Sequence, residues 1–221
     1  MNVLAIDTAT PSTAVAVVGP GGAVVDLRDD PAAGSRGEHG ERVLVLAAAA
    51  LAQASVEWAE LELIAVGTGP GGYTGLRIGI ATARGLARAH ATPLTGVGTL
   101  RALAASLREG PTLALIDARR AELFAAIYED DVEVLAPRVI SPSGLPELVA
   151  RLGERGLRAV GDGAIACRAD LDALGVEVPN NAAPAHHVSA AAICAIAIRE
   201  PRADPTPLYL RRPDAELALE R

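Results

Sequence analysis

Leu4-Ala5-Ile6-Asp7-Thr8-Ala9-Thr10-Pro11-Ser12-Thr13-Ala14-Val15-Ala16-Val17-Val18 reads as an apolar strand ending in Asp, a short turn rich in Thr and Pro, and a returning apolar strand. Ala114-Leu115-Ile116-Asp117-Ala118-Arg119-Arg120-Ala121-Glu122-Leu123-Phe124-Ala125-Ala126-Ile127-Tyr128 repeats that pattern 110 positions later without a gap. A repeat at this spacing predicts an α/β chain of two domains with one architecture. The division falls near Val97–Gly110, giving a first domain over 1–100 and a second, smaller and less regular one over 101–221.

Working outward, Gly19–Gly22 turns the chain into a third strand at Ala23–Arg28, so the chain opens as an antiparallel meander. A dinucleotide-binding sheet would instead send its first strand into a helix. A polar loop at Pro31–Gly37 precedes a helix at Glu38–Ala54, which is apolar on every side from Val43 to Ala52. Such a helix requires cover on two sides, from its own sheet and from something else. A strand at Leu61–Val66, a glycine-rich run and a helix at Thr74–His90 complete the first half. The second half continues with a strand at Glu133–Leu135, a helix at Pro142–Leu152, a strand at Arg158–Gly161 and a helix at Ser189–Arg199. It ends in an extended stretch at Pro205–Pro213 and a tail expected to fray.

The formal charge of −7 and pI near 5.1 oppose strong independent binding to nucleic acid, which draws its affinity from clustered basic residues. All 20 basic residues are Arg, which excludes Walker-type lysine chemistry and Schiff-base catalysis. Phe, Trp and Tyr number five together, so the core is built from small and aliphatic side chains. Cys167 and Cys194 are expected as buried free thiols, and His39, His90, His186 and His187 show no zinc spacing. The start lacks a basic region and no apolar run is long enough for a bilayer, so a soluble cytoplasmic protein is expected.

Gly67-Thr68-Gly69-Pro70-Gly71-Gly72 satisfies GxGxxG, but Pro70 removes a donor and no acidic residue follows between Tyr73 and Arg108 to hold a ribose. A structural reading accounts for the glycines better. Gly75, Gly79, Ala83 and Ala87 recur every four residues and make one smooth helix face. Each helical Gly costs roughly 1 kcal/mol relative to Ala, which close approach by another backbone would offset. Arg77, Ala81, Arg84 and Arg88 form a second, basic row suited to Glu38 and Glu41 or to a partner's carboxylates. Asp7 and Asp117 each end a strand at a turn, where they either serve a magnesium or phosphate site or cap the turn by accepting backbone N–H bonds. Bulky Arg119, Arg120 and Glu122 favour the capping role.

The hairpin at 4–18, the run Gly69-Pro70-Gly71-Gly72-Tyr73-Thr74-Gly75-Leu76-Arg77-Ile78-Gly79, the second hairpin Ile116–Glu122 and the late Pro207-Leu208-Tyr209-Leu210-Arg211 together resemble the TsaB family, also called YeaZ. The likeness runs in order over nearly the whole chain, with Tyr73 where the family often has Phe. It implies a two-domain fold of the actin-like ATPase, sugar kinase and Hsp70 type, with mixed sheets flanked by helices. It also implies a cytoplasmic, non-catalytic subunit that dimerises with TsaD and works with the ATPase TsaE in making threonylcarbamoyladenosine at position 37 of tRNA. The catalytic relative holds metal with an HxxxH helix, and Thr99 and Leu103 stand at those positions here, so no metal and no catalytic residue is expected. The older glycoprotease-like label finds no support in these residues.

The family's partner surface uses its first two helices. That implies partner contacts from His39, Arg42, Val43, Leu46, Ala50, Tyr73, Thr74, Gly75, Leu76, Arg77, Gly79, Ile80, Ala83 and Arg84, and a vestigial nucleotide cleft at Asp7, Thr8 and Asp117. Any ATP or ADP would sit at the interface of the complex, with tRNA met only through the complex. Two alternatives stand beside this reading: an ATP-using enzyme of the same superfamily, and a homodimer through the same helix pair.

Overall fold

The computed structural model describes residues 1–32, 37–107, 110–151, 156–200 and 203–211. The first sheet contains β1 (Val3–Asp7), β2 (Thr13–Val18), β3 (Val24–Asp29), β4 (Leu63–Gly67) and β5 (Leu94–Val97), in the order β3-β2-β1-β4-β5. The meander pairs antiparallel, with Ile6 opposite Val15, and β4 and β5 add in parallel. Two helices make those parallel connections, α1 (His39–Ala54) from β3 to β4 and α2 (Tyr73–His90) from β4 to β5. Ser55 and Ala91 end them in left-handed conformations at φ 54° and 51°.

The second sheet repeats this plan. Its strands β6 (Pro111–Arg119), β7 (Glu122–Glu129), β8 (Val132–Ile140) and β9 (Arg158–Val160) lie in the order β8-β7-β6-β9, again a meander with one parallel addition. The remaining helices are α3 (Thr99–Ala104), α4 (Leu145–Ala150), α5 (Asp162–Ala166), α6 (Arg168–Ala173) and α7 (Ala190–Arg199). The predicted strand around Glu133–Leu135 is the first part of the longer β8. The loop expected at Pro31–Gly37 and the frayed tail fall largely outside the described residues, as does Leu152.

Three buried clusters divide the protein into layers. Leu4, Ile6, Val15 and Val17 face outward against α1 and α2. Leu113, Leu115, Ala125 and Ile127 pack outward with Leu145, Ala164 and Leu171 from α4–α6. Between the sheets, Val3, Ala5, Ala114, Ile116, Phe124 and Tyr128 meet Leu100, Leu103, Ile193 and Ile196 of α3 and α7 in one shared core. The predicted division at residue 100 therefore separates the sheets but not the rest of the chain. Helix α7 packs on β1 and β2, and residues 203–211 run beside β5 and α2, so parts of the chain after residue 100 lie against the first sheet.

The repeat also needs a correction of register. Leu4 and Ile6 point outward, whereas Ala114 and Ile116, 110 positions later, point into the shared core. Side chains alternate across a strand, so Leu113 and Leu115, one residue off the 110 spacing, occupy the outward face that Leu4 and Ile6 occupy in the first copy. Asp7 and Asp117 consequently leave their strands on opposite faces relative to their own layers.

Candidate interdomain cleft and helix pair

The β1–β2 turn is organised by Asp7, which is 1% exposed. Its Oδ1 accepts the Ala9 N–H at 2.9 Å and its Oδ2 accepts the Thr99 hydroxyl at 2.8 Å. Thr99 Oγ1 in turn accepts the Gly69 N–H at 3.0 Å. Burial pushes the Asp7 carboxyl up to about 6, against the opposing effect of these hydrogen bonds. Asp117 caps its turn in the same way, accepting the Arg119 N–H at 2.7 Å. The capping role is thus realised in both hairpins, the second through Arg119, Arg120 and Ala121 at φ 64°, 56° and 56°.

The glycines of the run serve this turn. A Cβ on Gly71 would lie 2.2 Å from Ala9 O, one on Gly75 2.1 Å from Thr8 O, and one on Gly79 2.3 Å from Thr8 Oγ1. Thr8 Oγ1 donates to Gly75 O at 2.7 Å, and the Gly72 N–H donates to Ala9 O at 2.7 Å. Close backbone approach was the expected reason for these residues, but the approaching backbone is this chain's own β1–β2 turn and not another helix.

Most of the residues expected to touch a partner are turned inward. Val43, Leu46, Ala50, Ile80 and Ala83 belong to the core beneath α1 and α2, and Leu76 is 1% exposed. Gly75 and Gly79 are sealed by Thr8, and His39 is 9% exposed with its Nδ1 2.8 Å from Thr13 Oγ1. Of the expected residues Thr74, Arg77 and Arg84 are exposed, and the outer surface of the pair also carries Leu44 at 48% and Val45 at 56% exposure, with exposed Ala48, Ala52 and Ala81. An alanine-rich helix that is apolar all round gives no periodic signal for choosing between these faces.

Arg77 and Arg84 of the basic row are engaged within the chain. Arg77 lies 3.9 Å over the Tyr73 ring and its Nε donates to Tyr209 Oη at 3.0 Å; the two rings are 5.0 Å apart. Arg84 donates to Pro205 O and lies 3.7 Å from Asp204, while Arg42 bonds Asp29 at 3.0 Å. Glu38 and Glu41 are not the partners of this row. The C-terminal strap, residues 203–211, supplies them and continues to Arg211, which donates to Ala118 O and Glu122.

Between the β1–β2 turn, the start of α2, the β6–β7 turn and the strap lies a cavity of about 590 Å³. Thr8, His39, Asp117, Arg119, Phe124, Asp162 and Tyr209 are among the residues on its walls. Asp7 is not, since its carboxylate is spent on Ala9 and Thr99. Thr99 and Leu103 are 0% and 1% exposed, and among the described residues no group of three or more His, Cys, Asp or Glu is placed to hold a metal ion. Cys167 and Cys194 are buried free thiols, and no described helix is long and apolar enough to cross a membrane.

The family model described as "TsaD: tRNA N6-adenosine threonylcarbamoyltransferase" matches residues 31–148, just over half of the chain. A Mycobacterium tuberculosis protein of uncharacterised function is 36% identical over 97% of this chain and 94% of its own length. The Escherichia coli tRNA threonylcarbamoyladenosine biosynthesis protein TsaB is 38% identical over 59% of this chain and 56% of that protein. Among solved structures, YeaZ from Pseudomonas aeruginosa superposes with a TM-score of 0.74, at 24% identity, over 95% of this chain and 99% of that one. The ROK hexokinase of Thermus thermophilus has the same general fold, with a TM-score of 0.51 at 15% identity over 90% and 99% of the two chains. The two-layered architecture is therefore that of the actin-like ATPases and sugar kinases, and the chain belongs to the TsaB/YeaZ family.

Proposed function

We propose that this chain is a non-catalytic subunit in the formation of threonylcarbamoyladenosine in tRNA, holding a TsaD-like transferase against the outer faces of α1 and α2. The name of the Escherichia coli relative supports the pathway. The observation that carries the subunit role is the adjacent exposure of Leu44 and Val45 on a helix whose opposite side is already buried. Exposed aliphatic side chains flanked by Ala48 and Ala81 leave apolar area that a packed helix pair would remove from water. At the positions where the catalytic relative carries its metal-binding histidines, buried Thr99 and Leu103 present no ligand. With a net charge of −7, the chain meets tRNA through its partner.

Co-purification of the full chain with the TsaD-like protein of the same organism tests the reading. The variant Val45→Glu with Ala81→Glu places two charges on the exposed face without touching the core. The expected result is loss of co-purification with an unchanged melting temperature. Undiminished binding by this variant overturns the assignment.

A further inference from the structure

One end of the cleft is formed by the start of α2, where backbone donors lack partners among the described residues. Helix α2 has 18 residues, and its N-cap, Gly72, has no side chain to cap it. The Leu76 N–H reaches Gly72 O, but the N–H groups of Tyr73, Thr74 and Gly75 have no partner among the described residues. The positive end of the helix dipole therefore opens on the cleft. Beside it stands His39, nine-tenths buried, and a Cβ on Gly75 would lie 3.3 Å from its Nε2. The Thr13 hydroxyl, 1% exposed, has His39 Nδ1 as its hydrogen-bond partner among the described residues. The tautomer in which this buried hydroxyl donates to Nδ1 places the ring proton on Nε2. Nε2 has no protein partner among the described residues and lies beside Gly75 on the wall of the cleft.

Four neutral donors beside a helix N-terminus select an anion. The remaining walls limit its charge. Asp117 and Asp162 face the same space, and the lining Arg119 and Arg211 are paired with Asp117 at 3.3 Å and Glu122 at 3.0 Å, so a polyphosphate would meet carboxylates with the described arginines already engaged. The lining also carries an apolar group of side chains, Ile78, Ile116, Phe124 and Leu210. We propose that the cleft binds a small monoanionic carboxylic acid, its carboxylate at the start of α2 and His39 Nε2–H and its apolar body against Ile78, Ile116 and Phe124. The site uses none of Leu44, Val45 or Ala81, so it stands or falls apart from the partner assignment.

Nuclear magnetic resonance of the isotopically labelled full chain tests this with 3-phenylpropionate as the probe and its uncharged amide as the control. The expected result is a saturable shift of the Tyr73, Thr74 and Gly75 amides and of the His39 ring with the acid and not with the amide. His39→Leu weakens the acid by about tenfold, whereas His39→Gln, which keeps a donor near Nε2, stays within about threefold of the parent. Equal binding of the amide, an absence of saturable shifts, or unchanged affinity in His39→Leu overturns the proposal. Shifts of these amides by inorganic phosphate or magnesium ATP but not by the acid overturn its ligand class. Should His39→Leu fail to fold, the acid-against-amide comparison on the parent chain remains decisive.

Discussion

The carboxylate of Asp7 and the hydroxyl of Thr99 share a 2.8 Å hydrogen bond that ties the end of β1 to the first turn of α3. It closes a link across 92 residues of sequence and runs through the layer between the two sheets. Because burial raises the Asp7 carboxyl from 3.8 to about 6, the folded protein binds a proton there more tightly than the unfolded chain. Stability contributed by this site is therefore highest below about pH 4, falls as pH rises to about 6, and is level above that. Two pH units correspond to about 3 kcal/mol as an upper figure. The difference in unfolding free energy between the parent and Asp7→Asn, measured from pH 4 to 7, should move in favour of Asn as pH rises. A difference independent of pH would show that Asp7 titrates normally.

Gly79 and Thr8 interlock, and the pair predicts a reversal of sign. In the parent, Gly79→Ala drives a methyl to within 2.3 Å of Thr8 Oγ1 and should cost about 1–3 kcal/mol. In a Thr8→Ala background the obstructing hydroxyl is gone, and the same substitution should be neutral or stabilise by up to about 1 kcal/mol through helix propensity. Gly75→Ala should find no such relief, because the atom in its way is the Thr8 backbone oxygen at 2.1 Å. Denaturant unfolding of the four-variant cycle checks this. Additive costs for Gly79→Ala and Thr8→Ala would refute the interlock.

The hairpins and both long helices of the first half could be read from the sequence through an apolar run broken at Asp7, a meander turned at Gly19–Gly22, a long apolar stretch in α1 and a glycine-rich entry to α2. The short elements were harder to read. Helix α3 has six residues and α5 five, too few for a helical period to show against an alanine-rich background. The return of α7 to the first sheet is a tertiary fact with no local signature. So is the strap, whose Tyr209 and Asp204 engage arginines that sequence alone matched to Glu38 and Glu41 or to a partner's carboxylates. The site was legible in its residue types more than in their directions. Asp7, Thr8, His39 and Asp117 all matter, but only the structure shows Asp7 withdrawn into the core while His39 faces the cleft.

Arg77 and Tyr209 hold the strap to α2, and this contact predicts local, not global, loosening when it is cut. Arg77→Ala removes both the stacking on Tyr73 and the hydrogen bond to Tyr209. The Leu208 N–H, which donates to Thr68 O at 2.8 Å, should then exchange with solvent faster, while amides of β1 and β4 keep their protection. Hydrogen exchange read residue by residue checks this. Unchanged exchange at Leu208 would mean that the strap is held by its other bonds, at Gly96 and Arg211.

Leu44 and Leu46 are two residues apart on α1 and face opposite environments, at 48% and 9% exposure. Leu46 packs in the cluster with Val43, Ala50 and Ile80, so Leu46→Ala empties space that its neighbours fill only partly and should cost about 2–5 kcal/mol. Leu44→Ala removes a side chain already half in water and should change stability by no more than about 0.5 kcal/mol. The two variants should exchange order when the measurement is binding to the TsaD-like partner. Leu44→Ala should weaken the complex while Leu46→Ala, at a temperature where it remains folded, leaves affinity close to that of the parent. Equal effects on binding would place the contact elsewhere, because the identical truncation two residues away differs only in the face from which it is made.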